Sequence, residues 1–180
     1  MQSGVVAVHL SRRHAFSKQA LSEIELVAGH GVKGDAHFGA TVQHLSRVAK
    51  DPTQANLRQV HLLHHELLIQ LGAKGYNVQP GQMGENITTR GLDILGLSTG
   101  TKLKFGEQVI LRVTGLRNPC AQIERFRTGL LAAVLGHTED GTLVRLAGVM
   151  CVVEQGGKIR PGDSIVVAAH CENHMPLQPV

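Results

Sequence analysis

Glycine divides this chain into pieces too short for long helices. It occupies 21 of the 180 positions, between short apolar runs rich in Val, Leu and Ile. Aromatic residues make up 3% and Trp is absent, so a core has to be assembled from Val, Leu, Ile and Ala. Both facts favour short strands joined by turns over helices. A length of 180 residues suits one domain of ordinary size, and 42% hydrophobic with 18% charged residues excludes a disordered chain.

The apolar patterning predicts strands over residues 5–10 and 20–27, joined as a hairpin through a polar turn at 12–17. The run Gly29-His30-Gly31-Val32-Lys33-Gly34-Asp35-Ala36-His37 has glycines spaced too closely for a regular element, and residues 38–56 are polar and weakly patterned, a long loop with one helical turn. Residues 57–63 read as a strand, 65–71 as a short helix, Pro80-Gly81-Gln82-Met83-Gly84 as a second glycine loop and 85–89 as a strand. Strands follow at 102–105 and 108–114, a helix at 128–135 stopped by Gly136, and strands at 144–154 and 164–168. The fold class expected is mainly β, a closed or nearly closed β-barrel with a few short peripheral helices. Residues 1–170 form the domain and 171–180, with two prolines, a loosely attached tail.

The start of the chain lacks a basic segment followed by a long apolar stretch, and the apolar run at 130–135 is too short to span a bilayer, so the expectation is a cytoplasmic protein without a membrane partner. Three cysteines, Cys120, Cys151 and Cys171, lack any CxxC pairing, which argues against a disulfide scaffold and a structural zinc site. A formal charge of +4 and a pI near 9.2 favour an anionic small-molecule ligand. Nucleic acid is disfavoured because the basic residues are scattered and few aromatics are present to stack bases.

Cys120 is the principal candidate for chemistry. In Gly115-Leu116-Arg117-Asn118-Pro119-Cys120, Asn118 suits an N-cap and Pro119 a first helical position, which puts Cys120 in a helix-opening turn with Arg117 nearby. Exposed N–H groups and a positive neighbour favour a thiolate, which can attack, carry a persulfide or ligate a soft metal. The competing reading is a small buried hydrophobe. That reading suits Cys151, within an apolar run, better; Cys171 belongs to the tail. Asp35 and His37 close the first glycine loop, Arg58, Gln59 and His61 share a strand, and Glu85 and Asn86 leave the second loop. If the loops meet Cys120 at one barrel mouth, backbone N–H groups and Arg58 or Arg117 can hold an anion beside the thiol. His61, His64, His65 and Glu66 are close in sequence but straddle a strand-to-helix turn, a spacing unsuited to a dedicated zinc or iron site.

The order of these motifs, Gly34-Asp35-Ala36-His37, Arg58-Gln59-Val60-His61-Leu62, Gly81-Gln82-Met83-Gly84-Glu85-Asn86-Ile87, Thr114 to Cys120, Ala147-Gly148-Val149 and Gly162-Asp163, resembles the MOSC family, the domain found at the C-terminus of molybdenum cofactor sulfurases. The resemblance spans residues 3–168. It implies a β-barrel, molybdenum cofactor (molybdopterin) bound at its mouth, and a cysteine that carries sulfur or coordinates molybdenum, here Cys120. Arg117, Glu85, Asn86, Arg58, His37 and Asp35 become the expected cofactor-binding neighbours. Two enzymatic alternatives follow from it: sulfur transfer through a persulfide on Cys120, or reduction of N-hydroxylated compounds at molybdenum ligated by Cys120. A non-catalytic ligand-binding barrel is the third. The chain carries no pyridoxal phosphate lysine domain, so sulfur would come from a separate pyridoxal phosphate-dependent cysteine desulfurase, and a reductase would need external redox partner proteins.

Overall fold

A computed structural model describes residues 3–169 and 173–180. Its elements in chain order are β1 (Gly4–Leu10), β2 (Gln19–Leu21), β3 (Ile24–Val27), β4 (Gly31–Val32), α1 (Leu45–Val48), β5 (Val60–His64), α2 (His65–Ala73), β6 (Ile87–Arg90) and β7 (Lys102–Phe105). They continue with β8 (Val109–Leu116), α3 (Ala121–Phe126), α4 (Leu130–Ala133), β9 (Leu135–His137), β10 (Leu143–Arg145), β11 (Val149–Gln155), β12 (Gly157–Ile159) and β13 (Ile165–Ala169). The protein is mainly β, with a few short helices.

The principal sheet has the strand order β13-β7-β8-β11-β5-β6-β1-β2. Its pairs are antiparallel except β5 with β6, where α2 provides the crossover that a parallel pair requires. A smaller sheet, β12-β3-β4, contributes Ile24, Leu26, Val32 and Ile159 to the same core as Val8, Leu62, Ile87, Leu103, Leu111 and Val149 of the principal sheet. This core is aliphatic with one large aromatic, Phe105, as the composition demanded. A second cluster joins Leu63, Leu67 and Leu71 to Met83, Ile123, Leu130 and Ala147, and it fastens α3 and α4 beside α2.

The expected barrel is not closed. The outer edge of β1 is divided: Val8, His9 and Leu10 pair with β2, which leaves its first residues to face β13. There Gly4 and Ser164 make an isolated bridge, with the Val5 N–H donating to the Asp163 carbonyl at 2.9 Å and the Ile165 N–H to the Ser3 carbonyl at 3.0 Å. These bonds come from the turn entering β13, so no continuous ladder seals the sheet.

Several element boundaries also differ from expectation. The strand foreseen over 20–27 is two strands in two sheets, β2 beside β1 and β3 between β12 and β4. The glycine loop at 29–37 includes the short strand β4, because Gly31 and Val32 pair with Val27 and Leu26. The helix foreseen over 128–135 is limited to α4, and Leu135 and Gly136 pair with Arg145 and Val144 in a β-ribbon. The strand foreseen over 144–154 breaks at Gly148, whose φ of +90° turns the chain between β10 and β11. The tail foreseen as loose is docked over residues 173–180: Leu177 is buried in the core, Pro176 bridges to Ser98, and the Leu116 N–H donates to the Gln178 carbonyl at 2.9 Å. Cys171 lies outside the described residues.

At Gly148 a Cβ would collide with the Leu62 carbonyl oxygen and approach the His61 ring, in addition to the cost of the left-handed backbone. Gly148→Ala should therefore lower unfolding stability by about 2 kcal/mol in urea denaturation, a loss that would not arise if the break before β11 were incidental.

Candidate functional site

Cys120 is the N-cap of α3, with extended backbone (φ −138°, ψ 171°), so Asn118 and Pro119 precede the helix instead of opening it. The Asn118 side chain accepts from Arg145 Nε at 3.2 Å. Helix α3 is held by Ile123, which is fully buried against Leu67, Leu71 and Met83. The thiol itself is exposed, and Sγ lies 3.7 Å from Gln122 Oε1. Cys151 differs in every respect: it lies in the core of β11, and burial pushes its thiol far above the ordinary range.

Beside Cys120 opens a cavity of about 650 Å³. Arg58, Arg117, His37 and Asn86, all singled out in the sequence, line it together with Lys18, His14, His44 and Arg47. Among the described residues on its wall, none is Asp or Glu. Arg117 leaves the end of β8 and stacks over Phe16, 5.7 Å from the ring centroid; its Nη1 is buried without a protein partner. Burial pulls its guanidinium below the ordinary value, while Cys120 and Glu85 act in the opposite sense. Arg58 has a buried, unpartnered Nε, and burial reinforced by the charges of Arg47 and Arg117 pulls it down to about 10, with Cys120 opposing. Desolvated guanidinium donors without partners constitute a site prepared for an anion.

Two expected ligand-binding carboxylates stand behind this wall. Asp35, with a side chain 2% exposed, accepts from Lys18 Nζ at 2.6 Å, the Ser11 N–H at 3.1 Å, Asn86 Nδ2 at 3.2 Å, and the His37 N–H and Nδ1 at 3.0 and 3.2 Å. Burial raises its carboxyl, but the hydrogen bonds from His37 and the Lys18 charge prevail and hold it well below the usual carboxylate range. Lys18 is also buried, and burial lowers its ammonium against the pull of Asp35. Glu85 is fully buried. Its Oε1 accepts from the Gly81 N–H at 2.5 Å and from Thr88 Oγ1 at 2.9 Å, which fixes the second glycine loop. Within that loop Gly84 has φ +82°, and a Cβ there would strike the Phe16 carbonyl oxygen, so glycine brings the cavity floor close to the Phe16 segment.

Asn86 connects the parts. Its Oδ1 accepts from the His61 N–H at 3.2 Å, and its Nδ2 reaches the His9 carbonyl as well as Asp35. The His61 ring, on β5, approaches the Ala147 carbonyl through Nε2 at 2.8 Å; burial, then the charge of Arg117, drives it well below its ordinary value and keeps it neutral. Lys18, His14, His44 and Arg47 were not singled out from the sequence. His14 lies in the segment read as a polar turn, Lys18 just after it, and His44 and Arg47 in the weakly patterned loop, where their one common signal is basicity.

The fold and this site define a class: a β-rich protein with an exposed thiol at the lip of a cation-lined cavity. The sequence model of the MOSC domain matches residues 34–166, and the chain belongs to the MOSC domain family. YuaD of Bacillus subtilis, named among putative metal-sulfur cluster biosynthesis proteins, is 23% identical over 185 residues, covering 94% of this chain and 92% of its own. The crystal structure of YuaD gives a TM-score of 0.74 at 22% identity, over 92% of this chain and 94% of that one. YiiM from Geobacillus stearothermophilus gives 0.68 at 16% identity, over 97% of this chain and 79% of its own, and YiiM from Escherichia coli 0.64 at 17%, over 97% and 73%. These structures share the fold. Among the described residues no helix is long and apolar enough to cross a membrane.

Because folding depresses its pKa, Asp35 contributes stability that is complete above the unfolded carboxylate value of about 3.9 and is lost as the pH falls below it. Asp35→Asn should cost about 3–5 kcal/mol near neutral pH, since it leaves the Lys18 charge buried without its counter-ion, and should flatten the acid limb of the stability profile. Denaturant titrations from neutral to acid pH measure both effects.

Proposed function

We propose that this chain is a sulfur-carrier or sulfur-transfer protein associated with the molybdenum cofactor, with Cys120 as the group that receives and passes on sulfur. The observation that carries the reading is the exposed thiol at the lip of a cavity lined by arginine, lysine and histidine with no described carboxylate on its wall. Membership of the MOSC family supports it, as does the name of the B. subtilis relative.

The residues fit an anionic cofactor of this kind. The unpartnered Arg117 Nη1 and Arg58 Nε supply donors for its acidic groups, Asn86 a further polar contact, and Cys120 a soft sulfur ligand. When bound, the cofactor supplies a molybdenum centre that can accept sulfur or take a thiolate ligand.

Sulfur loading follows thiol exchange chemistry. The Cys120 thiolate attacks the terminal sulfur of a persulfide on a donor, a separate pyridoxal phosphate-dependent cysteine desulfurase. A new S–S bond forms to Cys120, the S–S bond of the donor breaks, and the donor departs as a thiolate. Arg58 and Arg117 lie within electrostatic reach of Cys120 and can hold an anionic sulfur donor or acceptor beside it. Exposure of Sγ gives a partner protein access to it.

Incubation with a desulfurase and cysteine, followed by alkylation and peptide mass spectrometry, should add sulfur to Cys120. Cys120→Ser should abolish loading, Cys151→Ser should leave it intact, and Arg117→Met should slow it roughly tenfold. An unmodified Cys120 under these conditions would overturn the reading. Molybdenum in protein from a cofactor-competent host, with reduction of an N-hydroxylated compound by added redox partner proteins, would instead make Cys120 a metal ligand.

A further inference from the structure

Three segments border the cavity on the side of Cys120. The turn at 12–17 gives it His14 and Phe16, an arm at 43–53 gives it Leu45 and Arg47, and the stretch 118–126 gives it Cys120 and Gln122. The arm is the least anchored of the three. Its base is a neck in which the Val42 N–H donates to the Gln54 carbonyl and the Asn56 N–H to the Ala40 carbonyl, both at 2.9 Å. Beyond the neck, among the described residues, every hydrogen bond of 43–53 stays within 41–53. Helix α1, at the tip, buries no residue: Leu45 is 63% and Val48 37% exposed.

Resting on the reading of Cys120 as a sulfur acceptor, we propose that these segments form a docking collar for the donor protein, which presents an acidic face to it and brings its persulfide to the thiol at the centre.

The charge of the collar selects such a partner. Arg12 and Arg13 are exposed on the turn, Lys50 is exposed on the arm beside Arg47, and Arg125 is exposed on α3. Arg125 follows Gln122 by three residues and so shares the helix face that borders the cavity. Among the described residues none of these five side chains is hydrogen-bonded or ion-paired. The two carboxylates of the same segments are engaged locally. Asp51 accepts from the Thr53 N–H at 2.9 Å and its hydroxyl at 2.6 Å, and Glu124 from the Gly129 N–H at 2.8 Å and the Leu131 N–H at 3.4 Å. A ring of unpaired cations steers an acidic protein surface toward the thiol and disfavours basic ones.

Apolar groups stand among these charges. Leu45 and Val48 project from the arm, and Phe126 of α3, 37% exposed, meets Phe16 of the turn with ring centroids 5.2 Å apart. Exposed apolar side chains within a charged rim are the composition of a contact surface, and an arm without anchors of its own gains its order when a partner covers it. An anionic lipid surface would also satisfy these charges, but it carries no sulfur. A collar centred on the thiol that receives sulfur suits a protein donor.

Sulfur loading of Cys120 from two donors separates docking from chemistry. One donor is the same organism's pyridoxal phosphate-dependent cysteine desulfurase with cysteine; the other is the persulfide of N-acetylcysteine amide, too small to span the collar. Raising NaCl from about 50 to about 500 mM should lower kcat/KM for the desulfurase about tenfold and leave the small donor within about twofold. The triple variant Arg12→Glu, Arg13→Glu, Arg125→Glu should lose about tenfold or more with the desulfurase, chiefly through KM, and load normally from the small donor. Val48→Ser should lose about threefold with the desulfurase alone. An unchanged rate of the triple variant with the desulfurase, an equal loss with both donors, or binding of the chain to phosphatidylglycerol vesicles but not to the desulfurase would overturn the proposal. Binding of the desulfurase to the Cys120→Ser chain, followed by interferometry, reads docking without chemistry. If that binding is weakened about tenfold by the triple substitution while neither donor loads Cys120 in the unsubstituted chain, the sulfur-transfer reading alone fails.

Discussion

The Asp35 carboxylate is the constraint on which the rest of the site depends. It gathers Ser11 at the end of β1, Lys18 before β2, His37 on the first glycine loop and Asn86 before β6. These segments are far apart in sequence. A buried carboxylate with this set of donors is costly to desolvate, and the cost is offset only when all of them arrive with good geometry. The cluster therefore imposes a single arrangement on the loops around the cavity. Its consequence for chemistry is indirect: Asp35 is not among the residues lining the cavity, yet it holds Lys18 and His37, which are.

The other side of the cavity is fixed by apolar packing. The second hydrophobic cluster holds α3 through Ile123 and α4 through Leu130, and the backbone of Arg117 is tied to Gly148 by a 2.9 Å hydrogen bond. Cys120 thus lies at the junction of a buried helix anchor and the end of β8, with its sulfur directed to solvent. Between the polar cluster and the apolar one, Arg58 and Arg117 hold donors with no protein partner. A folded protein tolerates such groups where binding satisfies them, and their placement beside an exposed thiol gives the cavity its chemical character.

Much of the candidate site was legible in the sequence, and the reason is local. Cys120 with Arg117, and Asp35 with His37, stand at points where a strand or a glycine loop ends, and such points project polar side chains from a rigid frame. Glu85 and Asn86 were found by the same signal but divided in role, Asn86 on the cavity wall and Glu85 sealed behind it, holding Gly81 and Thr88. Lys18, His14, His44 and Arg47 were missed because nothing in a polar turn or a weakly patterned loop indicates which way a basic residue faces. The strand divisions at residues 20–27 and 144–154 were missed for a related reason: alternation registers burial, and a strand that changes sheet remains buried throughout.

The sequence by itself determined the mainly β character, the aliphatic core, the helix α2, the family and the cysteine at the end of β8. These follow from glycine spacing, side-chain periodicity and motif order, all properties of neighbours along the chain. Tertiary structure decided whether the sheet closed, how the tail docked, that Asp35 binds Lys18, and that the described wall of the cavity carries no carboxylate. Those outcomes depend on which edges and charges meet across distant segments, where desolvation and geometry act together, and no local pattern encodes them.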